Sequence, residues 1–544
     1  MFDIFTHRNQ AAKQTIFFVP EPDPFENPLV EIDPGQLRQW ATALPFANPE
    51  QLSEAMITSL GRLNRFPGQV KRRDELVEIY HTPALRIAHG TGARKNTIPK
   101  ELLRRVMLEM AYAYSQIAND CLRTKASRKN LDRLAKAIYY SIKFYLLEYL
   151  YACESFDCRA GHTYREITRL RTYAEEQKVH QIEIDDSDNS QEPGQATIAH
   201  QFNRFLLLRL LDPCHLQEGE PRICYEYLNT VASHAAVQTP TQETEQSGHY
   251  VIDRLGEVQP HLYEPEGLEN LSQPRFALFN LNPVSLQIHQ LLRGLERSVD
   301  HKPPAMTSLT TQETTNLLAR MLKSWHIRPK RDSERHSTSG HVELWTGLHH
   351  IHQHLARPDR EMASENEEIT MTSAQSLSTV MQSSDKPQLL ARRFNQSRSG
   401  VALHLPLSAC ERELIGELVL ISLHGSNDPS EWKIGIVKRA LNREEGVLEI
   451  GVQFLTGNIM PITLQPVKKQ SDEESDEGNE EIPNYPGLYI DQGHSHRSSL
   501  IVPKRFFIIG QEYRVEEMIP APDITPLQLL ENTAMFERYR VKSC

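Results

Sequence analysis

Two arginines separated by three residues, Arg331 and Arg335, and a downstream Asn-x-Ser-x-x-Gly, formed by Asn395, Ser397 and Gly400, are the residues whose types and spacing suggest chemistry. Each guanidinium offers a fork of N–H donors and a flat face. The fork suits phosphate oxygens or the O6/N7 edge of guanine, and the face suits stacking on a purine. On residue chemistry alone the implied ligand is anionic and planar. The hexapeptide reads as a turn entering a strand, where short polar side chains bond to nearby backbone or to ligand. Gly400 there permits close approach or a positive φ. Arg392, Arg393 and Arg398 add positive charge beside it, and Lys330 adjoins the first arginine. A solvated basic patch is the plain alternative for the arginines, and turn capping is the plain alternative for Asn395 and Ser397.

The elements that must position these groups are strand-like. His341–Leu355 reads as a strand between the two motifs, and Ile434–Val437 and Ile450–Phe454 read as later ones. On a strand, His350, His352 and His354 share one face. No separated ligand and no fixed supporting partner accompanies them, so they read as an exposed face rather than a zinc site. A helix over Thr310–Trp325 leads straight into Arg331.

Arg331-x-x-x-Arg335, then Asn395-x-Ser397-x-x-Gly400 with Val401-Ala-Leu403 following, resembles the PilZ domain, the bacterial receptor module for cyclic di-GMP. The resemblance spans roughly residues 324–467, including Ile450-Gly-Val-Gln-Phe454, which looks like a late barrel strand. It implies an antiparallel β-barrel on which Arg331 and Arg335 hold the ligand's phosphates and guanine edges. Asn395, Ser397 and Gly400 would complete the pocket. Lys330 falls where the family varies the residue that influences how many ligands bind. One departure is the separation of about sixty residues between the motifs, where the polar stretch 357–390 reads as an inserted loop.

At 544 residues the chain exceeds a single core. The predicted fold is multidomain α+β. A mostly α-helical bundle comes first, then the PilZ-like antiparallel β-barrel, then a small C-terminal β-rich module. The expected divisions are an N-terminal arm over 1–32, a helical domain over 33–305 with a polar break near 185–195, the barrel over 306–467, an acidic linker over 468–482 and the module over 483–544. The prolines after Phe18 suggest an arm laid along another domain. Asp33-Pro34 and Asn48-Pro49 have the cap-then-proline form of a helix start, and further helices open at Pro99 and Ser127. The last of these is apolar over much of its circumference, with Tyr139, Tyr140, Phe144, Tyr145, Tyr149 and Tyr151, and so belongs at the centre of the bundle. Beyond the acidic linker, short strands and a helix over Pro526–Tyr539 make either a second module or the completion of a larger barrel.

Net charge of -11 argues against a nucleic-acid polymer as partner, since such binders carry a basic excess. Seven scattered cysteines form neither a disulfide framework nor a Cys-x-x-Cys metal pair, which fits a reducing cytoplasm. No run reaches the eighteen or so apolar residues that span a bilayer, so no direct membrane insertion is expected. Gly90–Lys95 lacks the spacing of a phosphate-binding P-loop. No catalytic constellation stands out, and no cofactor or metal is implied. The expectation is a non-enzymatic cyclic di-GMP effector whose helical domain engages a protein partner not identifiable from sequence. The alternative is an interaction scaffold whose PilZ-like domain no longer binds nucleotide.

Overall fold

The computed structural model describes residues 16–22, 31–66, 70, 72–90, 98–123, 127–158, 161–186, 196–239, 248–264, 274–297, 301–326, 334–356, 389–409, 414–423, 432–444, 446–466, 485–491, 498–507, 512–515 and 523–543. The chain divides into two compact units, residues 1–214 with 219–328, and residues 215–218 with 329–544. No helix among the described residues is long and apolar enough to cross a membrane.

The first unit is built of helices α1 (Pro34–Thr42), α2 (Pro49–Arg65), α3 (Arg73–Gly90), α4 (Lys100–Leu122), α5 (Arg128–Glu154), α6 (Gly161–Glu176), α7 (Ile198–Leu210) and α8 (Glu220–Val231). Local chemistry sets the starts of α1 and α5: the Asp33 carboxylate accepts from the Gly35 and Gln36 amides at 2.9 and 3.0 Å, and Ser127 Oγ accepts from Asn130 N at 3.2 Å. Helix α5 is buried continuously from Ala137 to Cys153. It packs against α4, α6, α7 and α8, as its all-round apolar surface requires. Two of its polar groups meet a buried carboxylate. Tyr139 Oη donates to Asp186 Oδ2 at 2.7 Å, and the same carboxylate takes Lys143 Nζ at 2.8 and 2.9 Å.

The arm lies along this bundle over residues 16–22. Asn119 clamps it in a reciprocal pattern, with Oδ1 accepting from Ile16 N and Phe17 N and Nδ2 donating to Phe17 O at 3.0 Å. The Phe17 ring is buried edge-on against Tyr173. After the helices comes a four-stranded sheet of β1 (Ala236–Gln238), β2 (His249–Asp253), β3 (His261–Leu262) and β4 (Phe276–Asn280), in the order β1-β4-β2-β3. Helices α9 (Asn282–Arg297) and α10 (Thr311–His326) follow.

The second unit contains two sheets. The first holds β5 (His336–Ser337), β6 (His341–Thr346), β7 (Leu389–Ser397), β8 (Gly400–Pro406), β9 (Leu418–Leu423), β10 (Lys433–Glu444) and β11 (Val447–Phe454). The order is β5-β7-β6-β9-β10-β11-β8, and β7 also pairs with β8, so the six strands from β6 to β11 form a closed circuit with β5 added outside it. Val401, Leu403 and Leu405 alternate along β8 and are buried. The second sheet is itself a closed barrel, β12 (Asn458–Pro466), β13 (Tyr485–Asp491), β14 (Ser499–Pro503), β17 (Phe536–Ser543), β16 (Asp523–Asn532) and β15 (Tyr513–Val515). Strand β12 lies within the span read from sequence as the first barrel, yet it hydrogen-bonds to β13 and β15 of the second.

Two expected elements differ from those found. The run His341–Leu355 is a strand only to Thr346; Gly347, at φ 87°, breaks it, and Leu348–Leu355 forms helix α11. Leu348, Ile351 and Leu355 fall on one helical face and pack between the barrels, with Trp345, Leu420 and Ile436 on one side and Leu488, Ile490 and Ile501 on the other. The helix expected over Pro526–Tyr539 is instead the β16–β17 hairpin. Bulges after Pro526 and Leu529 interrupt the strand's period of two and leave Leu527 and Leu530 exposed, three residues apart, which imitates helical spacing.

Candidate functional site

The Asn-x-Ser-x-x-Gly segment is a tight hairpin. Asn395 and Ser397 end β7, Arg398 and Ser399 make the turn, and Gly400 begins β8 opposite Ser397. Ser397 Oγ donates to Gly400 O at 3.3 Å and lies 3.4 Å from Ser399 Oγ, while Phe454 N donates to Ser399 O at 2.9 Å and ties the turn to β11. Gly400 is required by close approach, not by a positive φ. A Cβ there would stand 2.3 Å from the Val452 carbonyl oxygen.

The arginine segment arrives at this hairpin as an added strand. His336 pairs with Gln396 and Ser337 with Asn395, antiparallel. Exposed Arg335 immediately precedes His336, whose partner Gln396 adjoins Ser397. The strand continues beside β7 through Thr338 N donating to Phe394 O at 3.3 Å and Arg393 N donating to Gly340 O at 2.9 Å. Gly340 takes φ 124°, and the Arg393 guanidinium crosses it to donate to Ser339 O at 3.1 Å. Arg393 therefore braces the lead-in peptide, whereas Arg392 and Arg398 are exposed. Arg331 and Lys330 lie outside the described residues.

Beside the hairpin tip a cavity of about 970 Å3 is lined by Ser397, Arg398, His354, Trp432, Lys433 and Phe454. Its size is at the upper end of the ~300–1,000 Å3 of small-molecule sites. His354 of α11 is sandwiched there between Trp345 and Trp432, with ring centroids 4.3 and 4.8 Å away. Sequence reading missed this wall, since Trp432 and Phe454 sit at strand ends far from either motif; the rarity of tryptophan in the chain was the one available signal. The other histidines of α11 go to separate partners. His350 Nδ1 lies 3.1 Å from Thr346 O, His352 Nε2 3.1 Å from Ile462 O, and His349 Nε2 2.8 Å from Gln353 Nε2. The strand face that His350, His352 and His354 were expected to share does not exist, because the segment is helical.

The Gly90–Lys95 loop lies almost wholly outside the described residues. The aromatic residues of α5 are core, with Tyr139, Phe144, Tyr145, Tyr149 and Tyr151 at zero exposure.

Residues 35–242, from α1 to just beyond β1, match a family model described as the N-terminal domain of the cyclic-di-GMP receptor FimW. The match covers less than half of the chain and lies ahead of both barrels. No curated protein matches the chain.

Proposed function

We propose that the chain is a non-catalytic, cytoplasmic cyclic di-GMP effector whose first barrel is a PilZ-like domain that takes the ligand at the β5–β7–β8 edge. The observation that carries this reading is the register of β5 on β7, which pairs His336, the neighbour of Arg335, with Gln396, the neighbour of Ser397. The family match supports a receptor of this ligand independently, because it concerns a different part of the chain. In this reading Arg335, and Arg331 on the peptide before it, grip phosphate oxygens or the O6/N7 edge of guanine through charge-assisted hydrogen bonds. Asn395 and Ser397 offer short polar groups from the barrel rim, and Gly400 lets β11 close under the turn.

The peptide carrying both arginines is also the covalent connection between α10 and β5. Strand β5 pairs with β7 through two residues and is braced by Arg393, so a ligand that adds contacts there would fix it more firmly on β7. The helical unit would then pass the signal to a protein partner. Calorimetry of the intact chain with cyclic di-GMP tests the proposal. Saturable binding supports it, and the absence of both heat and a thermal shift at high ligand would leave an interaction scaffold.

A further inference from the structure

Strand β7 carries one residue more than β8 can match. Arg393 pairs with Leu403 and Asn395 with Ala402, which leaves Phe394 in a bulge immediately before the hexapeptide. The bulge holds the ring at the surface, 47% exposed, where it stacks on His404 with centroids 4.8 Å apart and planes inclined by 19°. A single half-exposed phenylalanine is ordinary. This one is backed by a second, partly buried ring. His404 stands between Arg392 and Glu449 in adjoining strand pairs, with its Nε2 3.6 Å from Glu449 Oε2. That carboxylate accepts from Arg443 Nε at 2.8 Å and from its terminal nitrogen at 3.1 Å. Exposed Arg392 pairs opposite His404, and Arg335 and Arg398 lie near the other end of the same strand. An aromatic face rimmed by cations is what a planar base carrying phosphates requires.

We infer that Phe394, backed by His404, is the stacking platform for one guanine of the dinucleotide, with the arginines taking its phosphates. This rests on the receptor reading above and adds residues outside both motifs. Phe394 would touch the base. His404 is a positioning residue that keeps the phenyl ring flat against the barrel.

The test is calorimetry on the full chain with cyclic di-GMP and with the pyrimidine analogue cyclic di-UMP, alongside melting temperature. Phe394→Ala is expected to weaken cyclic di-GMP binding by about five- to a hundredfold, as loss of one base stack does, at an unchanged melting temperature. Phe394→Trp retains affinity, and the preference for the purine ligand narrows in Phe394→Ala alone. His404→Phe, which keeps a flat ring, retains affinity that His404→Ala loses. If the wild type binds and Phe394→Ala binds equally well, the platform is wrong while the receptor reading stands. If the wild type binds neither ligand, both fall.

Discussion

Ser337 and Asn395 stand opposite one another in an antiparallel pair, although 57 residues separate them and 32 of those lie outside the described structure. That pair sets the lead-in peptide on the barrel rim. Substituting the exposed Arg335 by alanine is therefore expected to lower cyclic di-GMP affinity at least about tenfold, the cost of a charge-assisted contact. The melting temperature should not move. Titration calorimetry with a parallel thermal scan checks both, and unchanged affinity would mean that the ligand sits elsewhere.

Gly400→Ala should destabilise the second unit, because the added methyl meets the Val452 carbonyl oxygen at 2.3 Å and backbone must move. A loss of about 1–3 kcal/mol is expected in chemical denaturation, as for overpacking elsewhere. An unchanged midpoint would show that the hairpin relaxes freely.

The helices of the first unit were legible where local chemistry determines them. Asp33-Pro34, Asn48-Pro49 and Ser127 mark helix starts by their own side chains, and the all-round apolar pattern of α5 announces its burial. The hairpin at Asn395–Gly400 was legible for the same reason. What was not legible depends on distant packing. Helix α11 forms from a histidine-rich run because Ile351 and Leu355 have two barrels to pack between, and the second barrel is visible only once β12 is seen to pair forward with β13. Phe394 was hidden because a bulge has no signature in composition, and the cavity wall because its residues come from distant strand ends.

Asp186→Ala removes the carboxylate that takes both Lys143 Nζ and Tyr139 Oη inside the helical unit. Leaving that ammonium buried should cost on the order of 3–5 kcal/mol. The double change Lys143→Met with Asp186→Leu should recover much of the loss. Equal stability of the single variant and the wild type in urea denaturation would contradict the account.

Burial holds His200 neutral, moving its pKa down to about 4 from its ordinary 6.5. Between those values the unfolded chain takes up a proton that the folded chain does not, so the contribution is present above pH 6.5 and is lost as pH falls to 4. The amount at stake is about 3 kcal/mol. Melting curves of wild type and His200→Gln should therefore diverge with pH, the wild type losing more stability over that window. Parallel curves would contradict the assignment.

Amide hydrogen exchange on the intact chain, with and without cyclic di-GMP, tests the placement of the ligand most directly. The account predicts slowed exchange in peptides covering residues 334–340 and 395–400. Protection confined to residues 35–242, with the barrel rim unchanged, would contradict it.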